Sequence, residues 1–206
     1  MGIKERQERD REAVRRAILD AARELFVAEG FQNVSIRKIA ERIEYSPAAI
    51  YGYFPSKDDI FFALAEEGLH LLGDPSAIWK DPKLANAAPL DQVRAIFWRL
   101  YEFSCKQPQY FELMFVDRSV PRISQEYERF AFAREAKARV TSQIQSCIDN
   151  GSLPSHLDAH VVLRTLMMGL LGAAMMRLSC RLGPDENPDK LASNVLDVTL
   201  RGLQAS

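Results

Sequence analysis

The residues best placed to do chemistry lie between Ser35 and Lys57. Pro47, Ala48 and Ala49 follow Ser46, and Tyr51 and Tyr53 flank Gly52. On a helix, that first turn would carry no bulk on its outer side. A helix start of this kind can enter a major groove and touch thymine methyl groups. The tyrosine hydroxyls and the Lys57 ammonium can bond phosphate oxygens while adding little charge. The chemistry these types suggest is recognition of a nucleic-acid duplex.

Other reactive side chains are scattered. His156 and His160 stand four apart with Asp158 between them, but His156 precedes the helix start predicted there and no further ligand cluster joins them. No metal is expected. Cys105, Cys147 and Cys180 are odd in number and widely spaced, which fits neither a disulfide frame nor a zinc pattern. No nucleophile, base and orienting group stand at readable spacing, so the sequence predicts no catalytic residue and no cofactor.

The elements that would position the 35–57 group can be read from caps and apolar spacing. Ser35 can cap a helix over 35–42 that buries Ile36, Ile39, Ala40 and Ile43. Ser46 can cap a second over 46–53, with Pro47 at its first position and Ile50 and Phe54 returning to the core. Two short capped helices joined by a tight turn are the pattern of a helix-turn-helix. Ahead of them Val14, Ile18, Ala21 and Leu25 form a helical stripe ended by Gly30. Behind them Ser56 restarts a helix that runs to about Leu72.

Apolar residues recur at helical spacing almost throughout, so the class is all-α. Three prolines between Gly73 and Pro89 mark an irregular linker, and helices are predicted at about 90–106, 109–117, 122–150, 158–181 and 188–204. A small N-terminal three-helix module is thus followed by a larger bundle. The 206 residues are 47% apolar and 27% charged, enough to bury a core. The net charge of −1 divides as +2 up to Lys57 and −3 beyond. Charge alone cannot hold nucleic acid here, so binding would rest on placed contacts. The charged amino end has no secretory h-region, and the longest strongly apolar stretch, Thr165–Met176, is 12 residues. The chain is expected to be soluble and cytoplasmic, with no membrane partner.

The chain resembles the TetR family of bacterial transcription regulators. The likeness covers about residues 11–71 and rests on Ala-Ala-Arg-Glu-Leu-Phe (21–26), Glu29-Gly30-Phe31, Val34-Ser35-Ile36-Arg37-Lys38-Ile39-Ala40 and the run Ser46–Lys57. By position, the resemblance implies that Arg37 reaches a base edge or phosphate. It implies that Pro47, Ala48 and Ala49 face bases, while Ser35, Ser46, Tyr51, Tyr53 and Lys57 hold the backbone. One position departs from the family: Glu44 stands where glycine is usual in the turn. A side chain held at positive φ there would cost on the order of 1 kcal/mol.

The resemblance further implies a repressor, not an enzyme, that binds a double-stranded, pseudo-palindromic operator. It divides the chain into residues 1–55, an N-terminal arm and DNA-binding domain, and 56–206, a ligand-binding and dimerisation domain with helix 56–72 as the link. The stretch 158–181 is apolar around most of its circumference, and Gly169, Gly172, Ala173 and Ala174 would let another helix approach closely. It is either a central core helix or one packed on both the bundle and a second subunit. The family's last two helices form a four-helix dimer interface, which implies a homodimer through about 158–204. The middle of the chain is rich in aromatics, and a lining of methionine and aromatic side chains suits an apolar ligand. Phe97, Tyr101, Phe115 and Met168 are candidate lining for an unknown, largely apolar small-molecule effector, as family members commonly bind. The rival reading is a helical protein-interaction or sensory bundle without operator binding.

Overall fold

The structure, a computed structural model, describes residues 2–75, 80–122 and 128–205. Its elements are α1 (Ile3–Glu29), a 3-10 turn (Phe31–Asn33), α2 (Ile36–Arg42), α3 (Pro47–Tyr51), α4 (Lys57–Leu72), α5 (Pro82–Ala85), α6 (Pro89–Lys106), α7 (Pro108–Phe115), α8 (Ala131–Asp149), α9 (Ala159–Leu178) and α10 (Pro188–Ala205). No strand occurs among the described residues, which bears out the all-α class.

Two expectations change. The stretch read as an irregular linker contains α5, because Asp81 accepts from the Lys83 N–H and Pro82 opens the turn. Gln92, buried on α6, closes the other end by donating to the carbonyls of Leu84 and Ala85. The helix predicted from 122 begins only at Ala131, since the buried stripe of Val140, Ile144, Cys147 and Ile148 has its first anchor at Phe130. Part of the predicted start, residues 123–127, lies outside the described residues.

The chain forms two compact units, one of Met1–Gly68 with Gln109–Glu126, the other of Leu69–Pro108 with Tyr127–Ser206. In the first, Ile18, Leu19 and Phe26 of α1 and Ile60, Phe61 and Leu64 of α4 are buried, and the Phe31 ring lies tilted at 5.0 Å from Phe26 and edge-to-face at 5.7 Å from Phe61. Arg16 reaches from α1 to Asp20 and, at 2.6 Å, to Glu67 of α4. Arg23 donates to Gln109 and to the Tyr110 hydroxyl at 2.8 Å, which fastens α7 to α1. At Gly68 a Cβ would run into Met114 Sδ and lie 3.1 Å from the Tyr110 ring, so a larger residue there would require the Met114 side chain to move.

In the second unit α9 packs on α6, α8 and α10. Arg94 joins α6 to α10 through Asp197 at 2.6 Å and Ser193 at 2.8 Å. Helix α9 revises one expectation. By length and composition it is apolar enough to cross a membrane, with a mean hydropathy of 1.6 over its best 18 residues, whereas the longest strongly apolar run in the sequence is the 12 residues Thr165–Met176. Val162, Leu163, Leu166, Leu170 and Ala174 are nevertheless buried, so one side of it is a bundle core.

Glu44 adopts φ 59°, the left-handed region anticipated for the turn. A Cβ there costs about 1–2 kcal/mol, partly offset by the larger unfolded-state entropy of glycine. Glu44→Gly is therefore expected to raise stability by about 0.5–1 kcal/mol. Urea unfolding with an unchanged m-value would read the gain, and a lower midpoint would overturn the strain account.

Candidate nucleic-acid interface

The first unit builds α2 and α3 from the caps the sequence offers. Ser35 Oγ accepts from the Lys38 N–H at 3.2 Å, and Ser46 Oγ from the Ala49 N–H at 3.2 Å. Each hydroxyl satisfies one of the stranded N–H groups of its helix start. Between them Tyr45 N–H donates to the Ala40 carbonyl at 2.9 Å, which closes the turn around Glu44. Ile39, Ala40, Ile50 and Phe54 are buried and hold the two helices together. Ala40 is small and fully buried where α2 meets α3.

This packing fixes what the pair shows to solvent. Pro47 and Ala48 are exposed at the start of α3, and Tyr51 is 55% exposed one turn later. Ala49 and Tyr53 are half-buried. Tyr45 is also exposed beside the Ser46 cap, a residue the sequence reading passed over. Its position just before an N-cap, outside any apolar stripe, was the available signal. The face is a helix start of small residues bordered by phenols, and its shape suits a groove.

Most of the positive charge near this face is matched. Arg37 pairs with Glu41 at 2.8 Å, Arg42 with Glu24 at 3.0 Å, and Lys38 with Glu29. Exposed pairs of this kind are worth no more than about 1 kcal/mol, so Arg37 can exchange Glu41 for a phosphate at small cost. Lys57 is placed differently. Its ammonium donates to the carbonyls of Phe31 and Val34 at 2.7 and 2.9 Å and lies 4.2 Å from the centroid of the Phe31 ring. The expected backbone-holding residue is thus occupied in stapling the start of α4 to the junction of α1 and α2.

The four residues named for a ligand differ in burial, each within its own unit. Phe97 and Tyr101 lie one turn apart on α6, both buried. The Tyr101 hydroxyl donates to Asp189 at 2.8 Å, and burial with that bond holds the phenol protonated well above its usual range. Phe115 is half-buried on α7, its ring 5.2 Å from Phe111. Met168 is 65% exposed and so does not line the bundle interior of this chain. It points outward because Leu166 and Leu170 take the core positions of α9. Asp158, the acid between His156 and His160, caps α9 by accepting from the His160 and Val161 N–H groups. Burial pushes the Cys147 thiol up to about 11, which suits a packed, inert sulfur.

Comparison with known proteins bears on this face. A family model for bacterial regulatory proteins of the tetR family matches residues 18–64, which hold α2, α3 and the first half of α4. The HTH-type transcriptional repressor Rv1474c of Mycobacterium tuberculosis is 44% identical over 55 residues, 27% of this chain and 29% of that repressor. The chain thus matches less than a third of that relative's length. Solved structures extend the likeness of fold. A bacterial regulatory protein in the tetR family from Rhodococcus RHA1 superposes with a TM-score of 0.70 at 20% identity, over 92% of this chain and 96% of the other. The transcriptional regulator FadR of Bacillus subtilis, in complex with stearoyl-CoA, does so at 0.69 and 15% identity, over 90% and 97%.

Proposed function

We propose that this chain, whose residues 18–64 match the family model for bacterial regulatory proteins of the tetR family, is a ligand-responsive transcriptional repressor that binds a pseudo-palindromic operator as a homodimer. The observation that carries the reading is the doubly capped α2–α3 pair with Pro47, Ala48 and Tyr51 turned to solvent. Pro47, Ala48 and Ala49 would meet base edges, and Ser35, Arg37, Ser46, Tyr51 and Tyr53 would meet the backbone. Two such helices, one per subunit, would enter major grooves about 34–36 Å apart or a multiple of that spacing.

Support for the homodimer lies on α9 and α10. Val161, Met168 and Met175 repeat every seven residues along α9 and are exposed, as is Val198 on α10. Gly172 leaves open space in the same region. A row of large apolar side chains left in water marks a surface made for a partner, and seven-residue spacing keeps the row on one face of a helix.

Residues 1–55 serve as the reading head and 56–206 as the effector and dimerisation part. Helix 56–72 would be the link between them. The neighbour solved with stearoyl-CoA supports an effector with a large apolar part. Phe97 and Tyr101, adjacent on α6, are the side chains best placed to meet it. Such an effector lowers operator affinity only by its preference between two states, typically about 1–3 kcal/mol.

The test is binding to DNA from around the protein's own coding region across a salt series, with Tyr51→Ala beside the wild type. Saturable, selective binding that weakens with salt and falls about tenfold in the variant is expected; losing one placed contact near the bases is worth about 1–3 kcal/mol. Binding no better than to random DNA would sink the reading.

A further inference from the structure

Between α1 and α2 the chain turns through Gly30, at φ 82°, and the 3-10 turn Phe31–Asn33. Such a junction strands backbone groups outside any helical ladder, and each must find a partner. Two side chains remote in sequence supply them. Asp117 Oδ2 accepts from the Phe31 N–H at 3.2 Å, and Lys57 Nζ takes the Phe31 carbonyl at 2.7 Å. The peptide planes on either side of Phe31 are thus held by an anion and a cation, while the ring is buried between Phe26 and Phe61.

Asp117 is itself held. Its Oδ1 accepts from the Ser119 N–H at 2.8 Å and the Ser119 hydroxyl at 2.6 Å. Burial alone would raise this carboxyl, but the Ser119 and Phe31 donors outweigh it and keep it below the usual carboxylate range. It follows directly on α7, which Arg23 grips through Tyr110 and which meets α4 at Gly68. A cavity of about 160 Å³ bounded by Phe26, Leu113, Val116 and Gly30 adjoins the carboxylate. Truncation at 117 therefore widens an existing space and removes an acceptor, with no filled core to repack.

We propose that Asp117 is a positioning residue of the DNA-reading head: together with Lys57 it clamps Phe31 and sets the angle at which α2 and α3 leave α1. This rests on the operator-binding reading above. Asp117 lies just beyond α7 and outside the family match at 18–64. A reading helix must hold its pose to a fraction of an ångström to place side chains on base edges. A carboxylate that fixes the joint upstream of α2 acts on DNA without touching it.

The experiment compares wild type, Asp117→Ala and Asp117→Asn by hydrogen exchange and by operator titration at several salt concentrations. Asp117→Ala is expected to speed exchange over residues 31–54 at least about tenfold while α6 and α9 exchange as in the wild type. Operator affinity should fall about tenfold with the salt slope unchanged, because no phosphate contact is removed. Asp117→Asn keeps an oxygen for the Phe31 N–H and should recover most of that loss. Wild-type affinity in Asp117→Ala, or faster exchange spread evenly over both units, would overturn the clamp. A wild type that selects no DNA would instead sink the operator-binding reading and the clamp with it, so the two failures are told apart.

Discussion

A protein carrying Met168→Asp should sediment as a 23.4 kDa monomer and bind operator at least about 100-fold more weakly than the wild type. Met168 is 65% exposed in the single chain, so the aspartate meets water there and the protomer folds as before. The cost arises only on pairing. In a two-fold interface each substituted residue occurs twice, so the cost falls on both sides of the contact. An uncompensated buried charge costs about 3–5 kcal/mol. A monomer keeps one reading head, so it loses the second half-site and the geometric advantage of linking the two.

Ser142→Asp is the control, since Ser142 is exposed on α8, away from that row. Sedimentation velocity and operator titration together read the result. A Met168→Asp protein that stays dimeric at micromolar concentration would place the interface elsewhere. One that becomes monomeric yet binds the full operator as the wild type does would separate dimerisation from DNA reading altogether.

The reading head was legible in the sequence because its determinants are local. A serine three residues before the N–H it accepts from, a proline at a helix start and apolar residues at i, i+3 and i+4 act within one or two turns. Ser35, Ser46, Ile39 and Ile50 take those roles in the structure. Glu44, found at positive φ, was marked beforehand only by the resemblance, which usually has glycine at that position in the turn. What escaped depends on partners far along the chain. Asp117 stands 86 residues from Phe31, and Gln92 holds the end of α5 from the next helix. No periodicity marks such pairs. Met168 was misplaced for a related reason: on a helix apolar all round, composition does not say which side meets the bundle.

Lys57→Met is expected to lower the unfolding free energy by about 2 kcal/mol, and the size and kind of the loss decide what this lysine does. Methionine keeps the length and apolar stem of the side chain but donates nothing to the carbonyls of Phe31 and Val34. Each loses a charge-assisted bond, and the Phe31 ring loses the cation above it. A lysine that only touched a phosphate would behave otherwise. Its removal would reduce the salt dependence of binding by about one counterion and leave urea unfolding untouched. The staple predicts a lower urea midpoint at constant m-value, faster exchange over 31–54 and weaker operator binding as the consequence. Lys57→Arg should restore stability only in part, because a longer side chain with a broad planar guanidinium replaces a compact ammonium between the two carbonyls. Wild-type unfolding in Lys57→Met, with only the salt slope reduced, would return this residue to the phosphate contact that its position in the sequence first suggested.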